Sequence, residues 1–135
     1  MNRTPIQIRF SDTDLVGHVN NVAYGYYFDT ARMDYLEKVL NIQLDWRQGK
    51  VMVLVHIETD FFQSTSLYDI IEVTTRVVGI GNKSISMLQQ LLDKDGQVKA
   101  ESKSVLSTYD TVAKNSYPFP EEWKEKINIF EQQRL

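Results

Sequence analysis

The chain contains no cysteine at all, which excludes disulfides, thiolate metal sites and a cysteine nucleophile, and suits a reducing compartment. Apolar runs are short: none approaches the roughly 20 residues a membrane-spanning helix needs. The first residues, Met1 to Pro5, lead straight into an alternating segment and lack the continuous apolar stretch of a secretory signal, so the expected location is cytoplasmic, without membrane attachment. Basic residues are scattered along the chain, with a formal net charge of -3. That pattern lacks the clustered basic footprint of a nucleic-acid binder. There is no Gly-x-Ser-x-Gly elbow, and the serines of residues 102–107 sit on an expected strand, so a Ser-His-Asp hydrolase is not supported. Asp12, Asp14, His18 and His56 match no metal-ligand spacing, and neither metal nor cofactor is expected. Repeats, low-complexity stretches and Gly/Ser linkers are likewise missing.

What is present is the balance of an ordinary folded domain, 42% apolar and 24% charged over 135 residues, long enough for a core without staples. One domain spanning residues 1–135 is expected. Ile6, Ile8 and Phe10 alternate with Gln7 and Arg9, predicting a first strand over residues 6–10. Residues 11–17 are polar and turn-forming. Asn20 or Asn21 then caps a helix running to about Leu40, whose apolar residues cover most of its circumference. Such a helix should be wrapped by other structure. Residues 41–50 read as a polar connection. The β-branched run from Val51 to Ile57 predicts a buried strand, with extension toward Phe62. Ile71, Val73, Thr75 and Val77 face one side of the next strand, Gly81 and Asn82 turn it into a hairpin with residues 84–92, and residues 93–96 make a second turn. On the last strand Val98, Ala100, Ser102, Ser104 and Leu106 share a face, small enough to leave room for the helix. Pro118 and Pro120 precede a terminal helix over residues 121–135. The order predicts an α+β fold, one curled, mainly antiparallel sheet wrapped around one long helix.

Polar chemistry concentrates in the turn joining the first strand to that helix: Asp12-Thr13-Asp14, Gly17, His18, Asn20, Asn21 and then Tyr24. Asp12 and Asp14 on their own suit turn and capping roles, because short carboxylates bond neighbouring backbone amides. A helix start also offers unpaired N–H groups and positive potential, suited to the oxyanion of an attacked carbonyl. The motif resembles that of the 4-hydroxybenzoyl-CoA thioesterase-like family of hotdog-fold proteins, and Phe61, Gly81 and Ser84 fall where the weaker motifs of that family place similar residues. The similarity in strand order extends over residues 5–110.

The resemblance implies hydrolysis of an acyl-CoA or acyl-ACP thioester, with Asp14 as general base or nucleophile, the backbone N–H near Asn21 as oxyanion donor, His18 as a secondary catalytic residue, and Asp12 structural. The substrate side is expected to involve Gly17, Asn20 and Tyr24, with Lys83 and Ser84 toward the CoA phosphates. Tyr24 also reads simply as core, Lys83 as a solvated turn residue, and His18 as a loop residue. His18-Val19-Asn20-Asn21 is similar to the acyl-ACP thioesterase branch, which usually joins two hotdog domains; here a homodimer or homotetramer would supply the second half. A non-catalytic acyl-thioester binding module on the same fold is the alternative. A hotdog dehydratase fits less well, since Asp29 and Asp34 have no histidine beside them.

Overall fold

A computed structural model describes residues 1–42, 47 and 49–135. Its elements are β1 (Asn2–Ile6), α1 (Asn21–Leu40), β2 (Lys50–Phe61), β3 (Ile71–Ile80), β4 (Ser84–Asp93), β5 (Val98–Asp110) and α2 (Glu121–Glu131). The strands form one antiparallel sheet in the order β1-β3-β4-β5-β2. The first two strands in sequence are therefore its two edges. The sheet curls around α1 as expected, and the connection before β2 lies largely outside the described residues.

Apolar side chains from α1 and the sheet fill two clusters. Ala23, Tyr24, Tyr27, Phe28 and Ala31 pack on Ile71, Val73, Leu91 and Ala100. Tyr35, Leu36 and Leu40 pack on Met52, Val77, Ile85, Met87 and Leu106, closed by Phe119 and Ile127. A buried polar seam runs between them. Gln89 accepts from Arg32 Nη1 at 3.0 Å and donates from Nε2 to the Phe28 carbonyl and Thr75 Oγ1, each at 3.0 Å. Arg32 also pairs with Asp29. Satisfied in this way, the seam fixes how α1 sits on the sheet at little cost in unpaired polar groups.

The small face of β5 is found as expected, with Ala100, Ser102, Ser104 and Leu106 all buried. Four details differ. The first strand is Asn2–Ile6, not residues 6–10, and Phe10 instead begins a 3₁₀ turn, Phe10–Asp12. The inward residues of β1 are polar, Asn2 and Thr4, so apolar alternation did not mark it. The β2 run is an edge strand rather than a buried one, with Val55 59% and Ile57 40% exposed. The outer side of α1 is open too, at Val22 and Tyr26. Finally, α2 stops at Glu131, where Gln132 takes a left-handed conformation (φ 55).

Asn2 and Thr4 point inward to meet Asp34 of α1, whose Oδ2 accepts from Asn2 Nδ2 at 2.9 Å, Thr4 Oγ1 at 2.6 Å and Lys38 Nζ at 3.0 Å. Burial alone would raise the Asp34 pKa, but these donors outweigh it and hold the carboxyl below its ordinary value of 3.8. A carboxylate whose folded pKa is depressed stabilises the fold above the unfolded value, and the contribution disappears as pH falls through the folded one. Urea unfolding should show it: Asp34→Ala should lose about 2 kcal/mol at pH 7. As pH falls below about 4 the gap between variant and wild type should narrow, and it should close once pH is below the folded value.

Candidate active site

The residues that follow β1 build a loop in two steps. First, Asp12 is buried and anchors both ends of it. Its carboxylate accepts from the Arg9 amide at 2.9 Å, Arg9 Nη2 at 3.2 Å and the Tyr27 hydroxyl at 2.8 Å, while its carbonyl accepts from the Asn20 amide at 2.9 Å. Burial pushes the Asp12 carboxyl up, yet the Arg9 amide, the Tyr27 hydroxyl and the Arg9 guanidinium together bring it below the usual carboxylate range. The Tyr27 phenol is raised, by burial first and then by the neighbouring Asp12 charge. This clamp connects residues 15 apart on different elements, and nothing in local sequence pattern announces it.

Second, Asp14 starts a tight turn. Its amide donates to the His18 carbonyl at 2.8 Å, its carbonyl accepts from Gly17 at 3.1 Å, and its Oδ1 accepts from the amides of Val16 and His18, each at 3.0 Å. Gly17 occupies φ +79, a conformation that a side chain would strain, and its carbonyl accepts from Leu67 at 3.0 Å. The Val19 amide donates to Thr65 at 2.7 Å, so the turn is pinned to the segment that follows β2. Asp14 Oδ2 takes no hydrogen bond from any described residue. One oxygen is fixed and the other is free.

Asn20 is the N-cap of α1, its Oδ1 accepting from the Ala23 amide at 3.2 Å. Asn21 and Val22 then begin the helix with amides that bond no described residue, as helix geometry leaves them. Asp14, His18, Asn20 and Asn21 form one wall of an open cleft of about 530 Å³, and Phe61 and Phe62 form the opposite wall. Asp14 and the bare helix start thus share one cavity. A second hollow of about 540 Å³, walled by Phe10, Leu15 and Leu67, also borders Asp14. A smaller one of about 240 Å³ lies at the strand ends among Tyr68, Asp93 and Lys99, and brings no carboxylate to a helix N-terminus.

The other expected site residues are placed differently. Tyr24 is buried behind the cleft, its hydroxyl donating to Thr65 Oγ1 at 2.8 Å and its ring edge-on to Phe61 at 5.1 Å, so it supports the Phe61 wall. Lys83 and Ser84 lie in the β3–β4 turn, where their carbonyls accept from Thr108 at 2.9 Å and Gly81 at 2.7 Å. That is the end of the sheet covered by the C-terminal half of α1, so a single chain does not bring them to Asp14. His56 is exposed on β2 beside Glu58, away from the other three residues weighed as a metal set. The Phe62 wall was not among the expected site residues; its signal was a second aromatic at an exposed strand end.

Compared with known proteins, the sequence model of the thioesterase-like superfamily matches residues 8–127. The chain is similar to the long-chain acyl-CoA thioesterase FadM of Escherichia coli (strain K12), with 26% identity over 126 residues, 93% of this chain and 96% of that protein. The uncharacterised protein YsmA of Bacillus subtilis (strain 168) is 28% identical over 82 residues, 61% of this chain. The match spans about half, 54%, of that relative. Among solved structures, a thioesterase from Thermus thermophilus complexed with coenzyme A and Zn superposes with a TM-score of 0.85 at 29% identity, covering 98% of this chain and 96% of that one.

Proposed function

The chain belongs to the thioesterase-like superfamily, and from that premise we propose that it hydrolyses acyl-CoA thioesters to the free acid and CoA, with Asp14 as general base. The observation that carries this reading is the shared cleft of Asp14 and the α1 start. A water held at Asp14 Oδ2 attacks the thioester carbonyl and gives its proton to the carboxylate. The carbonyl oxygen becomes an oxyanion held by the Asn21 amide and the helix dipole. Collapse breaks the C–S bond, and the CoA thiolate leaves and takes up the proton from Asp14. With a thiol pKa of roughly 8.5 as guide, that departure needs little acid assistance. His18 stands on the same wall and would orient the water. CoA is the carrier we favour over ACP, because the similar thioesterases act on long-chain acyl-CoA or hold coenzyme A.

The exposed apolar edge of β2 supports a homodimer. An edge strand with free backbone groups and exposed Val53, Val55 and Ile57 is a template for a second strand, and a two-fold pairing of β2 with itself is antiparallel. Such pairing sets the Phe61 end of one protomer beside the Lys50 end of its partner. The hairpin turn of Lys83 and Ser84 lies at that Lys50 end, since Lys50 pairs with Asp110 and Ser84 with Ser107 on β5. It would then approach the neighbouring Asp14 cleft, where a lysine suits CoA phosphates. Val55→Lys, which charges the edge, should run as one chain by sedimentation; an unchanged larger mass would place the interface elsewhere.

The test of the function is thiol release from short, long and aromatic acyl-CoAs. Turnover of at least one class is expected. Binding of several without turnover of any would replace hydrolysis by simple acyl-thioester binding.

A further inference from the structure

Gly25 lies in the second turn of α1, where neither conformation nor packing calls for glycine. It has no positive φ, and a Cβ built on it meets no atom within 4 Å. Glycine inside a helix is less stable than alanine, so the space left open serves something other than the fold of this chain. Its position says what. Gly25 is one turn beyond Asn21 and on the same flank of the helix. Asp34 is nine residues further, two and a half turns, and so points to the opposite flank, where it binds Asn2 and Thr4 of β1. Gly25 therefore overlooks the β2 edge.

Along that edge Phe61, Ile57 and Leu54 pair with Ala100, Ser104 and Leu106, whose side chains are buried beneath α1. Directly paired residues project to the same face, so all three apolar side chains lie on the helix side of the sheet. They are nevertheless 46%, 40% and 42% exposed. They form an apolar shelf that begins at the Phe61 wall of the active-site cleft and runs beside the helix. The missing side chain at residue 25 leaves the way onto it clear.

We propose that this passage takes the acyl group of the substrate, and that Gly25 determines how long an acyl chain is accepted. The inference rests on the thioesterase reading above and names its substrate class: apolar aliphatic acyl groups that reach past one helical turn, roughly 6 Å, from the carbonyl. A charged acyl tail finds no partner on the shelf. A side chain at residue 25 would block the passage beyond its first turn and leave the carbonyl site itself in place.

The experiment is a kcat/KM profile across saturated acyl-CoAs, from butanoyl to palmitoyl, for wild type, Gly25→Ala and Gly25→Leu, with thermal melts and sedimentation of each. In wild type the long chains are favoured. In Gly25→Leu the long-to-short ratio should fall about 50-fold, equivalent to about three methylenes kept off the shelf at ~0.8 kcal/mol each, and Gly25→Ala should fall between the two. Should Gly25→Leu fail to fold, Gly25→Ala decides, because alanine is the better helix former. A parallel change at every chain length overturns the proposal. So does an unchanged profile with an altered oligomeric mass, which would assign the space to a second copy of the chain. Wild type inactive on every acyl-CoA removes the thioesterase reading and this inference with it; an active wild type with a parallel profile in the variants removes this inference alone.

Discussion

Asp14→Asn should lower kcat by about a thousandfold, within the 10²–10⁴ range for loss of a positioned general base, while KM and the melting temperature stay close to wild type. The substitution is clean because the two carboxylate oxygens have separate tasks. Oδ1 accepts from the Val16 and His18 amides, and an asparagine carbonyl can do the same, so the turn is kept. Oδ2 bonds no described residue and is the atom proposed to receive the proton; an amide nitrogen there cannot. About 4 kcal/mol of transition-state stabilisation is lost with no change in ground-state binding. A rise in KM with kcat preserved would mean that Asp14 holds substrate rather than activating water. Retained turnover in both terms would leave the carboxylate a turn residue only.

Asn21→Pro should reduce kcat by roughly 10²–10³, the usual cost of one oxyanion donor, and again leave the fold intact. A backbone donor is normally beyond the reach of mutagenesis, but here the first helical position makes it accessible. Asn21 follows the cap residue Asn20, and proline is tolerated at that position because the amide has no partner within the helix. Asn20 also has φ -77 and ψ 158, an extended conformation compatible with a following proline. The variant thus deletes one N–H from the cleft without breaking α1. Asn21→Ala, which removes the side chain and keeps the amide, should turn over within a few-fold of wild type. If the alanine variant were as impaired as the proline one, the side chain rather than the backbone would be the active group. Asp14 and Asn21 act on one carbonyl in this account, so the double variant should be less impaired than the product of the two single losses.

How much of this was legible beforehand depended on whether the signal was local. Asn20 capping α1 and the small face of β5 are written in consecutive residues, and the structure has them where the pattern placed them. The loop from Asp12 to Asn21 carried its chemistry in residue types and spacing, and its neighbourhood with the helix start followed from the order of elements. What was illegible is what depends on distant partners. β1 hides its inward face behind Asn2 and Thr4 because their partner, Asp34, sits 32 and 30 residues on. The Asp12–Tyr27 clamp joins a loop to the second turn of a helix. A run such as Val51 to Ile57 reads equally as a buried strand or as an edge that a second chain will cover, since burial by another copy leaves the same apolar mark on the sequence. Lys83 and Ser84 show the same ambiguity: motif position drew them to the site, and within one chain they stand at the far end of the sheet.

In the proposed reaction a single thioester carbonyl lies between Asp14 and the start of α1. A crystal structure of the slow Asp14→Asn variant with an intact acyl-CoA measures this directly. The carbonyl oxygen should lie about 2.7–3.1 Å from the Asn21 amide nitrogen, with the carbonyl carbon facing residue 14 across one water. A thioester bound with its carbonyl turned away from that amide, or seated in the hollow by Tyr68 and Asp93, would contradict it.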